Sequence, residues 1–211
     1  MTGKTHTAAG VAAALMVTNP GNVRDLALCS AVAAIGAVIC DVDASRSESH
    51  QTLEKTVGIM TGAFLLLAAV EWKWHLGIMS YIKRYSSVWQ VASGILMLIG
   101  ICVLGSGTPH RSFMHSIAGM ACIGAVTYYI LPVAVWPAMT AMASHILLDT
   151  LNHRKVRIFY PLRSGMALGL CKSDGLINQM IFWIASGLIV IRIIVFVLIN
   201  GKLLEAAAGL L

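Results

Sequence analysis

The stretch LINQMIFWIASGLIVIRIIVFVLIN, residues 176–200, decides the fold class of this chain. It contains a single ionisable side chain, Arg192, and it lacks the polar face that a soluble helix turns towards water. A helix needs roughly 20 mostly apolar residues to cross the hydrocarbon core of a bilayer. The stretch therefore predicts a membrane-spanning helix, and with it an integral membrane protein.

The composition of the whole chain supports the same conclusion. Of its 211 residues, 58% are hydrophobic and 11% are charged, whereas soluble domains carry roughly 25% charged residues. This leaves too little polar surface for a soluble globule, so we expect one integral-membrane domain over residues 1–211. The formal net charge of +6 bears mainly on the orientation of the protein in the membrane, because Lys and Arg favour cytoplasmic loops. Direct nucleic-acid binding is not expected.

Six more apolar runs precede this stretch and predict an all-α, polytopic fold with about six or seven membrane segments. They cover approximately residues 7–17, 26–40, 56–70, 88–104, 114–131 and 135–151. The first two runs are short, and the turn-forming sequence TNPGN lies between them at 18–22. We therefore expect these two runs to form a shallow or partly embedded hairpin.

The five cysteines show no C-x-x-C spacing and lie mostly inside apolar runs. This pattern is typical of small buried thiols and not of a disulfide framework or a zinc site. The five are Cys29, Cys40, Cys102, Cys122 and Cys171.

Alternating the apolar runs across the membrane brings four separate polar clusters to one side. The clusters contain His6, Asp41 with Asp43, His110 with His115, and His145 with Asp149. Nine basic residues would share this side and five would lie on the other, which predicts that the clusters face the cytoplasm. Ionisable residues at membrane depth are costly and indicate a functional site.

Two of these clusters have a spacing that bears on metal binding. His145 and Asp149 are four residues apart, so in a helix both side chains lie on one face. This arrangement suits either two ligands of one cation or a hydrogen-bonded His–Asp pair without a metal. Asp41 and Asp43 are two residues apart and would point to one side in an extended segment just past a helix end. Either a cation or a solvated loop would compensate them there.

The stretch TPHRSFMHS at 108–116 places two histidines and an arginine between two apolar runs. Pro109 indicates a turn or the start of a helix. His110 would then precede the first turn, and His115 would project from the helix. Arg111 would lie at the helix N-terminus, where an anion such as phosphate is favoured. The alternative is that Arg111 contacts lipid headgroups.

Taken together, the histidines and carboxylates predict a metal site at one face of the membrane. Mixed imidazole and carboxylate ligation suits zinc, manganese or iron. The candidate ligands in the four clusters are enough for one or two ions. Such ions activate water and can stabilise both the attacking and the leaving oxygen of a phosphoester.

At these residues the chain resembles the YdjM-type family of LexA-binding, inner-membrane-associated, metal-dependent hydrolases. The resemblance spans roughly residues 5–165 and rests on four motifs in a fixed order. They are Thr5-His6, Asp41-Val42-Asp43, His110-Arg111 followed by His115-Ser116, and His145 with Asp149.

The chain has Ile39-Cys40 before the acidic pair, where the family has Leu-Pro. It has Ser112 and Met114 where the family has a small and a hydroxylated residue. The family is distantly similar to zinc-dependent phospholipase C, which implies a phosphoester substrate such as a lipid headgroup.

The resulting hypothesis is a multi-pass inner-membrane hydrolase that uses metal-activated water, with zinc or another divalent transition metal, on a phosphoester. Its expected metal ligands are His6, Asp41, His110, His115, His145 and Asp149. Asp43 would be a second carboxylate ligand or the general base, and Arg111 would hold the anionic substrate. Membrane lipids are the expected partners, among them an anionic phospholipid-like substrate, and the basic loop 153–165 would collect anionic headgroups.

Two other functions stay open at the level of sequence. A metal-ion transporter would use the same ligands for a cation in transit, but the middles of the apolar runs carry hardly any ionisable residue besides Arg192. A non-catalytic membrane adaptor would bind a soluble protein partner such as a repressor. Only residues 152–175 form a polar segment long enough for that role.

Overall fold

The computed structural model describes residues 1–42, 50–172 and 175–208, with side chains described at 1–42, 58–172 and 175–200. Within these ranges the chain is all-helical and contains no β-strand, which confirms that the fold is all-α. The α-helices are α1 (Gly3–Thr18), α2 (Val23–Ile39), α3 (His50–Trp74), α4 (Ile78–Tyr85), α5 (Val88–Ser106), α6 (Ile117–Ile130), α7 (Val135–Thr150) and α8 (Leu176–Ala208). The seven apolar runs match all of these except α4.

Local signals in the sequence set the ends of the helices that carry the site. Asn19, in the left-handed conformation with φ 46°, ends α1. Asn22 caps α2 by accepting a hydrogen bond from the backbone N–H of Asp25 at 2.9 Å. Ser116 caps α6 in the same way through Gly119 N–H at 3.1 Å. α1 and α2 therefore form a hairpin that turns at the predicted position.

Small residues let α1, α2 and α7 pack closely. A Cβ on Gly10 would lie 2.6 Å from the Cβ of Ala37, and one on Gly36 would lie 2.9 Å from the carbonyl oxygen of Ala138. Close approach through small residues is a common way for helices to associate in lipid, where no hydrophobic effect drives them together. The start of α1 and the ends of α2 and α7 are held side by side as a result.

We expect Gly36→Val to destabilise the protein, because the added side chain would meet the backbone of Ala138, which cannot rotate away as a side chain can. Overpacking of this kind typically costs about 1–3 kcal/mol. Gly62→Val is the matched control, since a Cβ at Gly62 meets nothing within 4 Å. Thermal unfolding in detergent should show a lower midpoint for the Gly36 variant alone. Equal midpoints for the two variants would contradict the close packing.

Three helical segments in the described part of the chain are long and apolar enough to cross a membrane. They are Val23–Val42, Val88–Ser106 and Leu176–Asn200. The last two turn most of their side chains outward, as lipid-contacting helices do. α1 and α7 have 16 residues each, fewer than the roughly 20 that a span requires. The number of six or seven membrane segments stays a prediction.

All five cysteines are free thiols. Cys29, Cys40 and Cys171 are buried as predicted. Cys122 is exposed, which corrects the expectation of a buried thiol at this position. It lies on a face of α6 that no other described helix covers, so its apolar surroundings would come from lipid.

Candidate metal centre

Five of the predicted ligands converge where four helix ends meet. His6 lies in the first turn of α1. Asp41 lies in a 3-10 turn at residues 40–42 just after α2, and not in the extended segment that was expected there. His115 precedes α6, and His145 and Asp149 lie in the last two turns of α7. These ends are adjacent because α1, α2 and α7 pack against one another. Tertiary packing thereby joins side chains that are far apart in sequence.

His6, His145 and Asp149 form the first group of potential ligands, and their ligand atoms lie within 4.8 Å of one another. His6 Nε2 is 3.3 Å from Asp149 Oδ1. The imidazole rings of His6 and His145 are stacked, with their centroids 3.8 Å apart. Because the four-residue spacing already places two of the ligands on one face of α7, a single residue of α1 completes the group.

Asp41, His115 and His145 form the second group, which also keeps its ligand atoms within 4.8 Å. Asp41 Oδ1 lies 3.5 Å from His145 Nε2 and 3.7 Å from His115 Nε2. His115 Nε2 is in addition 3.6 Å from Asp149 Oδ2. The second group is therefore in direct contact with the first, and the two share His145.

A backbone hydrogen bond sets the orientation of His145. Its Nδ1 lies 2.5 Å from the carbonyl oxygen of Ala37 on α2. A carbonyl oxygen only accepts, so Nδ1 donates its proton and Nε2 is the nitrogen left to bind a metal. Metal-binding histidines are usually held in this way. Nε2 offers a single lone pair, so His145 can bind only one ion through it. The two groups that share His145 therefore form one site, which we call the His/Asp cluster.

The His/Asp cluster is almost completely buried. His6, His115, His145 and Asp149 are each 2% exposed or less, and the side chain of Asp41 is 18% exposed. Among the residues that the structure describes, no hydrogen-bond partner reaches His145 Nε2 or His6 Nδ1. A buried polar atom without a partner costs about 1–3 kcal/mol. A cation bound at the cluster would remove that cost for the nitrogen it contacts.

The donor set fits a divalent transition metal. Zinc binds imidazole nitrogen and carboxylate oxygen at about 2.0–2.2 Å, so its ligand atoms lie within about 4.4 Å of one another. The spacing in the two groups is close to this value. Burial, together with the neighbouring His145, lowers the pKa of His6, which lies outside the three candidate spans, to about 4. The imidazole of His6 is therefore neutral near pH 7, as metal binding requires.

Arg111 lies beside the His/Asp cluster, with its Nε 3.0 Å from Asp149 Oδ2. The prediction that Arg111 begins a helix from which His115 projects is wrong. α6 begins only after Ser116, which caps it, and His115 ends a short 3-10 helix. Arg111 instead occupies a turn with a φ of 62°. Few residues other than glycine adopt this left-handed conformation, and it is frequent at functional sites.

One predicted ligand, His110, is not part of either group. The ring of His110 stands edge-on to that of His115, with the centroids 5.3 Å apart. The ligand atoms of His110 belong to neither group, so its role as a ligand stays a prediction. Asp43 lies outside the described residues.

Two supports of the cluster were not predicted from the sequence. Ala37 acts through its carbonyl group, which leaves no signal in the pattern of side chains. Asn178 of α8 accepts a hydrogen bond from Thr2 N–H at 3.2 Å and is 3% exposed, so it holds the start of α1 against α8. The polar amide side chain of Asn178 within an apolar run is the sequence feature that could have indicated this role.

The helices and the cluster define the class of protein. The chain is an all-helical membrane protein with a buried group of histidine and aspartate side chains that could hold a metal ion. It matches the family described as YdjM inner membrane protein over residues 1–207. The chain belongs to this family, which confirms the resemblance seen in its motifs. A comparison with curated proteins and one with solved structures gave no match.

Proposed function

We propose that this protein is a multi-pass hydrolase of the inner membrane that uses a divalent transition metal, zinc in the simplest case, to cleave a phosphoester. The proposal includes six or seven membrane segments and a site on the cytoplasmic side. The observation that carries it is the buried cluster of three histidines and two aspartates with an arginine beside one aspartate. In the described part of the chain, no other group of His, Cys, Asp or Glu has the spacing of a metal site.

Metal binding accounts for the His/Asp cluster better than a hydrogen-bonded network does. A network would hold its buried nitrogens at hydrogen-bond geometry, whereas the contact between His145 Nε2 and Asp41 Oδ1 is 3.5 Å long and no described residue makes a hydrogen bond to Nε2. Nδ1 is already bonded to Ala37. Imidazole and carboxylate ligands suit zinc, and also manganese or iron. For one or two ions, the candidate ligands are His6, Asp41, His115, His145 and Asp149, with His110 at the edge of the cluster.

The residues around the cluster support hydrolysis of an anionic substrate. A divalent ion supplies Lewis acidity and lowers the pKa of water to about 7. Arg111 keeps a positive charge next to Asp149, where it can bind a phosphate oxygen. Asp41 is the most exposed member of the cluster, so water and substrate would approach from its side. Asp43, two residues further along the chain, is the candidate general base.

Metal transport is the second candidate function. The same ligands would bind an ion in transit, and ionisable groups should then line a path away from the cluster. Arg192 lies within the candidate span of α8, but its guanidinium contacts the Asn19 side chain and the Leu15 carbonyl at the end of α1. These contacts tie Arg192 to the hairpin turn, which favours hydrolysis over transport.

Turnover and uptake measured on one preparation separate the candidate functions. Protein in nanodiscs should hydrolyse a phosphodiester such as bis(p-nitrophenyl) phosphate, lose that activity with a chelator, and regain it with zinc, manganese or iron. Uptake of labelled zinc by proteoliposomes without any hydrolysis would instead identify a transporter. Capture of a soluble repressor that survives chelation, with neither activity present, would identify an adaptor.

A further inference from the structure

An apolar groove lies beside the His/Asp cluster on another face of α7. Its volume is about 410 Å³, within the range of about 300–1,000 Å³ typical of ligand sites. The start of α6, the end of α7 and the segment 158–168 line it, with Ile117, Ala143 and Ile158 among the lining residues. Its polar lining residue, Thr150, donates its hydroxyl proton to a backbone carbonyl at 2.6 Å. The groove therefore suits an apolar ligand.

The groove and the cluster lie at the same level of the molecule. Ile146 and Thr150 line the groove, and each directly follows a residue of the cluster, His145 or Asp149. Successive residues of a helix point about 100° apart, so the groove and the cluster occupy neighbouring faces at one end of α7. A ligand that fills the groove thus reaches the level of the candidate metal centre.

The segment that closes the groove turns apolar side chains outward. Met166, Leu168 and Leu170 lie on one irregular stretch and are 54%, 59% and 64% exposed. The stretch is held in place by its backbone, because Leu168 N–H donates to the Thr150 carbonyl at the end of α7 at 2.8 Å. Apolar side chains exposed together on a fixed stretch indicate contact with a membrane or an apolar partner.

The segment between α7 and α8, which contains this stretch, is strongly basic. Between Asp149 and Asp174 there is no acidic residue, and there are five basic residues: Arg154, Lys155, Arg157, Arg163 and Lys172. The backbone N–H of Arg157 donates to the carbonyl of Arg111 at 2.9 Å, so the basic segment adjoins the arginine of the candidate site. Basic residues at a membrane surface attract anionic headgroups.

We propose that the groove holds one acyl chain of an anionic phospholipid whose headgroup is bound by the basic segment 154–163. This inference rests on the proposed function and names the substrate class of that site. The apolar lining suits the acyl chain, and the basic residues of a segment without acidic residues in its sequence suit an anionic headgroup. In this arrangement the lipid phosphate lies at the level of the His/Asp cluster while the acyl chain stays in the bilayer.

Ala143 offers a variant that fills the groove without crowding the core. It lines the groove and is exposed, so Ala143→Phe occupies the volume with little strain on the fold. Ala92→Phe on α5 is the matched control, because Ala92 is an exposed alanine outside the groove. The probes are phosphatidylglycerol and phosphatidylcholine that carry a photoreactive diazirine in one acyl chain. Each variant in nanodiscs is crosslinked to each probe, and labelled peptides are measured by mass spectrometry.

The phosphatidylglycerol probe should label Ile117, Ile158 and Leu168 in the unmodified protein. That labelling should fall by about tenfold in Ala143→Phe, stay unchanged in Ala92→Phe, and be about tenfold weaker with phosphatidylcholine. Equal labelling by both probes, or labelling that Ala143→Phe leaves unchanged, would overturn the proposal.

Crosslinking measures lipid binding and does not require turnover. The experiment therefore distinguishes failure of the lipid-site inference from failure of the proposed hydrolase function. The expected labelling without any headgroup release would support the lipid site and overturn lipid hydrolysis. Headgroup release from phosphatidylglycerol that Ala143→Phe does not slow would overturn the groove assignment and leave the hydrolase standing.

Discussion

Replacing His145 by alanine is expected to abolish stoichiometric metal binding. The substitution removes the ligand that both groups of the His/Asp cluster share. It also removes the ring whose Nδ1 is bonded to the Ala37 carbonyl, a contact that orients Nε2 for metal binding. Loss of an outer-shell partner of a metal ligand typically lowers affinity about 10- to 100-fold, and loss of the ligand itself should cost at least about that much.

Elemental analysis and zinc titration of the purified protein measure this effect. His153→Ala is the matched control, because His153 is exposed and belongs to neither group of ligands. The control should bind as much zinc as the unmodified protein, and the His145 variant should bind almost none. His145→Gln should lose metal in the same way while preserving more of the side-chain volume. An unmodified protein without bound metal, or full metal content in His145→Ala, would contradict the metal-centre hypothesis.

Replacing Arg111 by glutamine should strongly destabilise the metal-free protein and affect the metal-loaded protein much less. Arg111 Nε lies 3.0 Å from Asp149 Oδ2, and both side chains are buried. Removal of one partner from a buried ion pair costs up to about 3–5 kcal/mol, of which the amino terminus of Met1, 3.3 Å from Asp149 Oδ1, would offset a part. An ion at the cluster would offset the charge of Asp149, so zinc should restore most of the lost stability. Turnover of the loaded variant should still fall about 100-fold, because a charge that stabilises the transition state is lost.

The pair of Arg24 and Asp25 provides a matched control for Arg111. Arg24 Nε is 3.1 Å from Asp25 Oδ1, but the two side chains are 31% and 32% exposed. Exposed ion pairs contribute about 0–1 kcal/mol, so Arg24→Gln should have a small effect that zinc does not change. Denaturation with and without zinc measures both variants. Equal losses, or a loss in Arg111→Gln that zinc does not reduce, would contradict the proposed coupling between Arg111, Asp149 and the ion.

The helices could largely be predicted from the sequence because hydrophobic runs are a local property. Seven runs correspond to seven α-helices of the described chain. α4 was missed because Ile78–Tyr85 mixes apolar residues with Lys83 and Arg84, so that no apolar run marks it. The short helix before Ser116 was missed for another reason. Pro109 suggested a helix start, whereas the cap that begins α6 lies at Ser116.

The candidate site was predictable in its members but not in its arrangement. Ionisable residues are rare in this chain, so the histidines and aspartates stood out as potential ligands. The four-residue spacing predicted that His145 and Asp149 lie on one face of a helix, because the helical period relates residues that are close in sequence. Alternation of the apolar runs placed His145, Asp41 and His115 on one side of the membrane, but it did not give the distances between them. It also did not separate His110 from the two ligand groups. Those relations depend on how the ends of four helices meet.

The amino-acid sequence by itself determined that this chain is a helical membrane protein and which side chains could bind a metal. Hydrophobicity and helical period follow from residues that are close in sequence, and they suffice for that conclusion. Only the tertiary structure decided that His145 joins two groups of ligands and that Ala37 orients its ring. The physical reason is the close packing of α1, α2 and α7 at Gly10 and Gly36, which sets distances that no local pattern encodes.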